Sequence, residues 1–211
     1  MRARERQVTA DWAEIYSALA VAAQDTRPIS GWTHNFYRYP ARFAPAFAAA
    51  AIKCLSLPSQ LILDPYMGVG TTVVEAVAAQ RSVIGNDLNS LATFITRVKI
   101  TPLTTAEVET LKIWAMQMVP ELTYFIPAEE LAPFIDSGKT KNMSLTRARF
   151  IKKVVAAALA SIAELPTTNM KNFAKCTVLR VAQWALDGRE CHTALADFRQ
   201  KLAATTLEPV S

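Results

Sequence analysis

The stretch richest in chemistry is Leu61-Ile62-Leu63-Asp64-Pro65-Tyr66-Met67-Gly68-Val69-Gly70-Thr71-Thr72. Gly68 and Gly70 lack a Cβ, so the main chain there can come close to a ligand. A helix starting here, with Thr71 or Thr72 as its cap, turns free N–H groups and a positive dipole end toward an anionic group. Asp64 ends an apolar run and can accept hydrogen bonds from a cationic or N–H-bearing ligand. Asp87 ends the next apolar run, where an acid can take both hydroxyls of a ribose. No third glycine follows at the dinucleotide spacing, and Gly-Lys-Ser/Thr is absent. These absences exclude a nicotinamide dinucleotide and ATP as the natural ligand.

Such residues need strands and helices to hold them. Gln60-Leu61-Ile62-Leu63-Asp64 reads as a short buried strand, with Pro58 and Ser59 before it. A helix over about Thr71–Gln80 follows, then a strand over Ser82–Asp87 and a helix over Asn89–Val98. This strand–loop–helix–strand unit opens a doubly wound parallel sheet. Upstream, Thr9–Ala23 has apolar residues near a 3.6-residue period, and Pro45 can open a helix through Leu55. Beyond Leu103 the pattern is helical: Thr105–Met118 with Thr105 as cap, Ser144–Glu164, Thr177–Leu186 and His192–Ala203. Two or three strands are visible, where a full doubly wound sheet needs five or more.

The fold class expected is therefore α/β: part of a Rossmann-like fold in residues 1–104, followed by a mainly helical region in 105–211. The chain has 211 residues, of which 51% are hydrophobic and 19% charged, a composition that supports a packed core. No apolar run reaches the roughly 18 residues of a membrane span. The charged N-terminus has no apolar stretch behind it, and the three cysteines are too few and too odd for a disulfide framework. Both features favour a cytoplasmic setting. The net charge of +5 is uneven: Ser137–Lys201 holds twelve Lys/Arg against four Asp/Glu. That excess either attracts phosphate backbones or forms an ordinary solvated helical surface.

Asp64-Pro65-Tyr66-Met67-Gly68-Val69-Gly70-Thr71-Thr72 resembles the AdoMet-binding motif of amino-methylating DNA methyltransferases, Asp-Pro-Phe-x-Gly-x-Gly-Thr. These enzymes act on adenine N6 or cytosine N4. Gly85-Asn86-Asp87-Leu88-Asn89 is similar to their next motif, and Phe36-Tyr37-Arg38-Tyr39-Pro40-Ala41-Arg42-Phe43 to a segment that lines the methionine end of the cofactor. The resemblance is sharp over about Asn35–Leu103 and looser over Thr177–Leu202. It implies S-adenosyl-L-methionine as cofactor and a Rossmann-like methyltransferase fold. It implies a binding set of Tyr39, Pro40, Arg42, Phe43, Asp64, Pro65, Tyr66, Met67, Gly68, Gly70, Thr71, Thr72, Asp87, Leu88 and Asn89. Within that set the glycine loop would wrap the methionine part, Asp87 would hold the ribose and Leu88 would pack on the adenine.

The family's catalytic signature, Asp/Asn/Ser-Pro-Pro-Tyr/Phe, has no match, because the sequence contains no Pro-Pro pair. Asp64-Pro65-Tyr66 is a superficial lookalike that belongs to the cofactor loop. No catalytic residue is therefore assigned. In longer relatives the signature comes well after the stretch similar to Gln183–Arg189. These features, with the strand shortage, lead to the expectation of a split enzyme of restriction-modification or phage type, whose second subunit carries the catalytic motif. A longer protein cut short would look the same.

The expected substrate is double-stranded DNA. Arg147, Arg149, Lys152 and Lys153 fall within two turns of one helix and either grip its phosphates or form a solvated face. No metal site is expected, since Cys54, Cys176 and Cys191 lack metal-ligand spacing. His34 reads as a loop histidine without a role, and Trp12, Trp32, Trp114 and Trp184 as core. Two other functions are compatible with the sequence: a non-catalytic AdoMet-binding module, and a methyltransferase for RNA or a small molecule.

Overall fold

The computed structural model describes residues 11–37, 42–124, 145–186 and 193–207, with the side chains of 145–149 not described. The chain divides into two compact units, one through Thr101 and one from Pro102 onward.

The first unit contains α1 (Trp12–Ala23), α2 (Pro45–Leu55), β1 (Leu61–Asp64), α3 (Thr71–Ala78), β2 (Ser82–Gly85) and α4 (Ser90–Lys99). Asp11 caps α1 by accepting the Ala13 N–H at 2.9 Å. Only Ile15 of α1 is buried, however, and Trp12 and Tyr16 are exposed despite their helical spacing. Trp32 is exposed as well, so core packing holds for Trp114 and not for these two tryptophans. Pro45 opens α2, where its missing N–H costs nothing. The helix packs between α1 and α3.

β1 and β2 pair in parallel, with Leu61 opposite Ser82 and Asp64 opposite Gly85. The connection between them is α3, which buries Thr71, Val73, Val74 and Ala76. Side chains alternate across a strand, so Asp64 and Gly85 share a face with Ile62 and Val83. A Cβ on Gly85 would lie 2.9 Å from Val73 Cγ2, which identifies this face as the one against α3. The opposite face presents Leu61, Leu63 and Ile84, 62%, 65% and 52% exposed. Parallel sheets are normally covered on both faces, so this apolar surface departs from the rule.

The second unit holds α5 (Thr105–Glu121), α6 (Leu145–Ser161) with a 3₁₀ turn (Ile162–Glu164), α7 (Thr168–Leu186) and α8 (Leu195–Leu207). α5 starts at Thr105, as the sequence suggests, and runs on to Glu121 rather than ending at Met118. Thr104, not Thr105, is its cap, because only Thr104 stands three residues before Glu107 and can form the reciprocal capping box. α7 packs on α6 and on α8, and α8 on α5. Leu111, Val154, Val178, Val181, Phe198 and Leu202 fill the core between them. Among the described residues, no helix is long and apolar enough to cross a membrane.

Candidate functional site

The loop from Asp64 to Gly70 leaves the C-terminal end of β1 and enters α3. Asp64 continues the strand pairing, its carbonyl accepting the Asn86 N–H at 2.9 Å. Its carboxylate folds back to accept the Tyr66 N–H at 3.2 Å, which starts the turn. The Met67 N–H donates to the Asn86 carbonyl at 2.9 Å, holding the loop beside the end of β2. Tyr66 is left 85% exposed.

Two glycines then do different work. Gly68 has φ +51° and Gly70 φ +75°, both in the left-handed region that glycine enters without strain. A Cβ on Gly70 would lie 2.6 Å from Thr96 Oγ1, so the missing side chain makes room for α4. A Cβ on Gly68 would meet nothing within 4 Å, so that side of the loop is open. The cap of α3 is Gly70, not Thr71 or Thr72. Thr71 is instead the first helical residue, with its side chain buried.

Asp87 ties the second strand end to this loop. Its Oδ2 accepts the Gly68 N–H at 2.9 Å, and its Oδ1 accepts the Asn89 N–H at 2.8 Å. Each carboxylate oxygen keeps a further lone pair for a hydroxyl donor. Asn89 caps α4 by accepting the Leu91 N–H at 2.9 Å. Leu88 projects between them and is 98% exposed. Asp64, Met67, Gly68, Gly70, Thr71, Asp87, Leu88 and Asn89 are thus brought to one loop cluster.

From behind, α4 holds the loop through two residues that sequence reasoning passed over. Thr96 Oγ1 donates to the Gly68 carbonyl at 3.3 Å, and Lys99 Nζ to the Val69 carbonyl at 3.0 Å. Both side chains are buried.

The upstream segment lies differently. Arg42 donates through Nη1 to the His34 carbonyl at 3.0 Å. Phe43 stacks on Phe47, with centroids 5.8 Å apart. Phe43, Phe47, Leu55, Leu61 and Thr72 line an open groove of about 580 Å³ between α2 and β1. Gly68, Asp87 and Leu88 are not in its wall, so it adjoins the loop cluster only at Thr72. Tyr39 and Pro40 lie outside the described residues.

His34 has a structural place after all. It is 2% exposed, and its Nε2 lies 2.6 Å from Glu75 Oε1 on α3. The pair fastens the segment before Arg42 to the helix that follows the glycine loop. On α6, Lys152 and Lys153 are half-buried, and the side chains of Arg147 and Arg149 lie outside the described set.

A loop of this kind can receive a nucleoside. The loop has open space beside Gly68, a carboxylate at Asp87 with acceptor capacity left over, and an exposed apolar side chain at Leu88. Residues 3–94 match a family model described as DNA methylase, for the N6 and N4 amino-methylating type. A stretch of 74 residues is 34% identical to the Type II methyltransferase M.MvaI of Kocuria varians. That stretch covers 34% of this chain and 16% of the relative. No solved structure matches the chain.

Proposed function

We propose, from the match of residues 3–94 to the DNA methylase family model, that this chain is the AdoMet-binding part of a site-specific DNA methyltransferase. The observation that carries the reading is the tie between the Gly68 N–H and Asp87, which joins the glycine loop to the second strand end around an open space. Gly68 and Gly70 shape the loop for the methionine portion, Asp87 takes the ribose hydroxyls, and Leu88 packs on the adenine. Bound there, S-adenosyl-L-methionine supplies an electrophilic methyl group for the exocyclic amine of adenine or cytosine. Asp64 and Asn89 fix the two ends of the site through their own backbone contacts. The arrangement reads as part of a Rossmann-like sheet, with β1 and β2 as its first two strands.

The catalytic Pro-Pro-Tyr element is supplied by a second polypeptide. Support comes from the bare apolar face of Leu61, Leu63 and Ile84. Among the described residues the parallel sheet has two strands, and such a sheet with an uncovered apolar face gains by adding strands and a covering layer. Double-stranded DNA is the proposed substrate, with Arg147, Arg149, Lys152 and Lys153 as proposed phosphate contacts on α6.

The test is transfer of labelled methyl groups to DNA by the chain alone, by a candidate partner carrying Pro-Pro-Tyr or Pro-Pro-Phe, and by the two together. Activity confined to the mixture, and lost with Asp87→Ala, is the expected result. Transfer by the isolated chain contradicts the two-chain reading. Binding of AdoMet without transfer in any mixture favours a non-catalytic sensor.

A further inference from the structure

The face of α4 turned to the glycine loop carries two buried polar groups that no part of the family resemblance assigns. Thr96 and Lys99 are three residues apart, hence on one side of the helix. Their donors reach consecutive carbonyls, those of Gly68 and Val69. The two peptide planes are therefore pinned in succession, both with oxygen toward α4.

A trans peptide places its N–H opposite its C=O. Pinning the Gly68 carbonyl against α4 thus turns the Val69 N–H away from α4. Pinning the Val69 carbonyl leaves the Gly70 N–H free to close the turn, and it does so on the Met67 carbonyl at 2.8 Å. The Gly68 and Val69 oxygens are thereby turned toward α4. A loop that receives a carboxylate-bearing ligand at a helix N-terminus needs that polarity, because an outward carbonyl would repel it. Burying an ammonium is costly, and a methionine would fill similar space at lower cost. The Val69 carbonyl is one of the groups that this buried ammonium engages. Gly70 completes the device, since a side chain there would strike Thr96.

We infer that Thr96 and Lys99 are positioning residues: a buried latch that sets the carbonyl direction of the glycine loop and so its affinity for AdoMet. This rests on the reading of the loop as the AdoMet site. Its test is separable from that reading. Amide hydrogen exchange at Gly68 and Gly70 in the ligand-free chain reports the latch, and titration with AdoMet reports the consequence. The variants are Thr96→Val, which keeps the shape and removes the donor, Thr96→Ser, which restores the donor, and Lys99→Met.

The expected result is exchange about tenfold faster at both amides in Thr96→Val and Lys99→Met, with near wild-type rates in Thr96→Ser. Where the wild-type chain binds AdoMet, Kd should rise by about tenfold in the first two and recover in the third. Loop exchange unchanged in Thr96→Val overturns the latch, as does a Thr96→Ser variant as impaired as Thr96→Val. Should Lys99→Met fail to fold, the Thr96 pair decides alone. Faster exchange together with no AdoMet binding by wild type leaves the latch standing and removes the cofactor reading.

Discussion

The Gly68 N–H donates to Asp87 Oδ2 at 2.9 Å, so one hydrogen bond joins the loop after β1 to the end of β2 across 19 residues of sequence. The same carboxylate accepts the Asn89 N–H, and it is thereby aimed before any ligand arrives. Replacing Asp87 by Ala removes both acceptors, and replacing it by Asn keeps one while removing the charge. Calorimetric titration should show AdoMet affinity falling by more than about tenfold in Asp87→Ala and by less in Asp87→Asn. Equal affinity in all three proteins would remove Asp87 from the site.

The two loop glycines should separate in a melting experiment. Gly70→Ala places a Cβ 2.6 Å from Thr96 Oγ1 on a left-handed backbone. The backbone alone costs about 1–2 kcal/mol, and the collision adds to it. Gly68→Ala bears the backbone cost without the collision, since its Cβ would lie in open space. Chemical denaturation should therefore rank Gly70→Ala below Gly68→Ala in stability. Gly68→Ala should fold and still lose ligand affinity, because its methyl group fills the open side. The reverse ranking would contradict the placement of α4 behind the loop.

These contrasts show what the sequence disclosed and what it hid. The strand–loop–helix–strand unit was legible because short apolar runs stand between Pro58-Ser59 and the glycines, and the sharpest motif fell at the end of β1. The cap of α3 falls at Gly70, one or two residues before the threonines that the sequence offers, since a threonine beside a helix start is a usual cap and the positive φ of Gly70 leaves no trace in a sequence. The cap of α5 was readable in principle, as Thr104 and Glu107 have the capping-box spacing. Thr96 and Lys99 were hidden for another reason. A lysine in the last turn of a helix looks like a solvated cation favoured by the dipole, and only packing shows that it is buried.

His34 and Glu75 were equally invisible, being 41 residues apart with no shared pattern. Truncation of His34 to Ala leaves the Glu75 carboxylate enclosed without this partner, and the cost should be about 1–3 kcal/mol by urea denaturation. Glu75→Gln keeps an acceptor oxygen for the imidazole and should cost less than Glu75→Ala. Identical midpoints for wild type and His34→Ala would show that the pair does not hold the upstream segment to α3.

In the second unit, acid stability should depend on Glu107. Its carboxylate accepts the Thr104 N–H at 2.9 Å and the Thr167 hydroxyl at 2.8 Å. These bonds, the backbone one first, hold its pKa below the ordinary value of 4.5. A depressed carboxylate stabilises the folded state above its unfolded pKa, and the benefit disappears as pH falls through the folded one. Wild type and Glu107→Gln should therefore differ in stability at neutral pH and converge as pH falls below 4.5 and through the lowered pKa of the folded state. A difference that persists unchanged into acid would assign the effect to packing.

The glycine loop as an AdoMet site is tested most directly by titrating the ¹⁵N-labelled chain with AdoMet and following backbone amides. Saturable shifts centred on Gly68, Val69, Gly70, Asp87 and Leu88, abolished by Asp87→Ala, are predicted. Unmoved amides at those positions up to millimolar AdoMet, or shifts confined to another part of the chain, would contradict it.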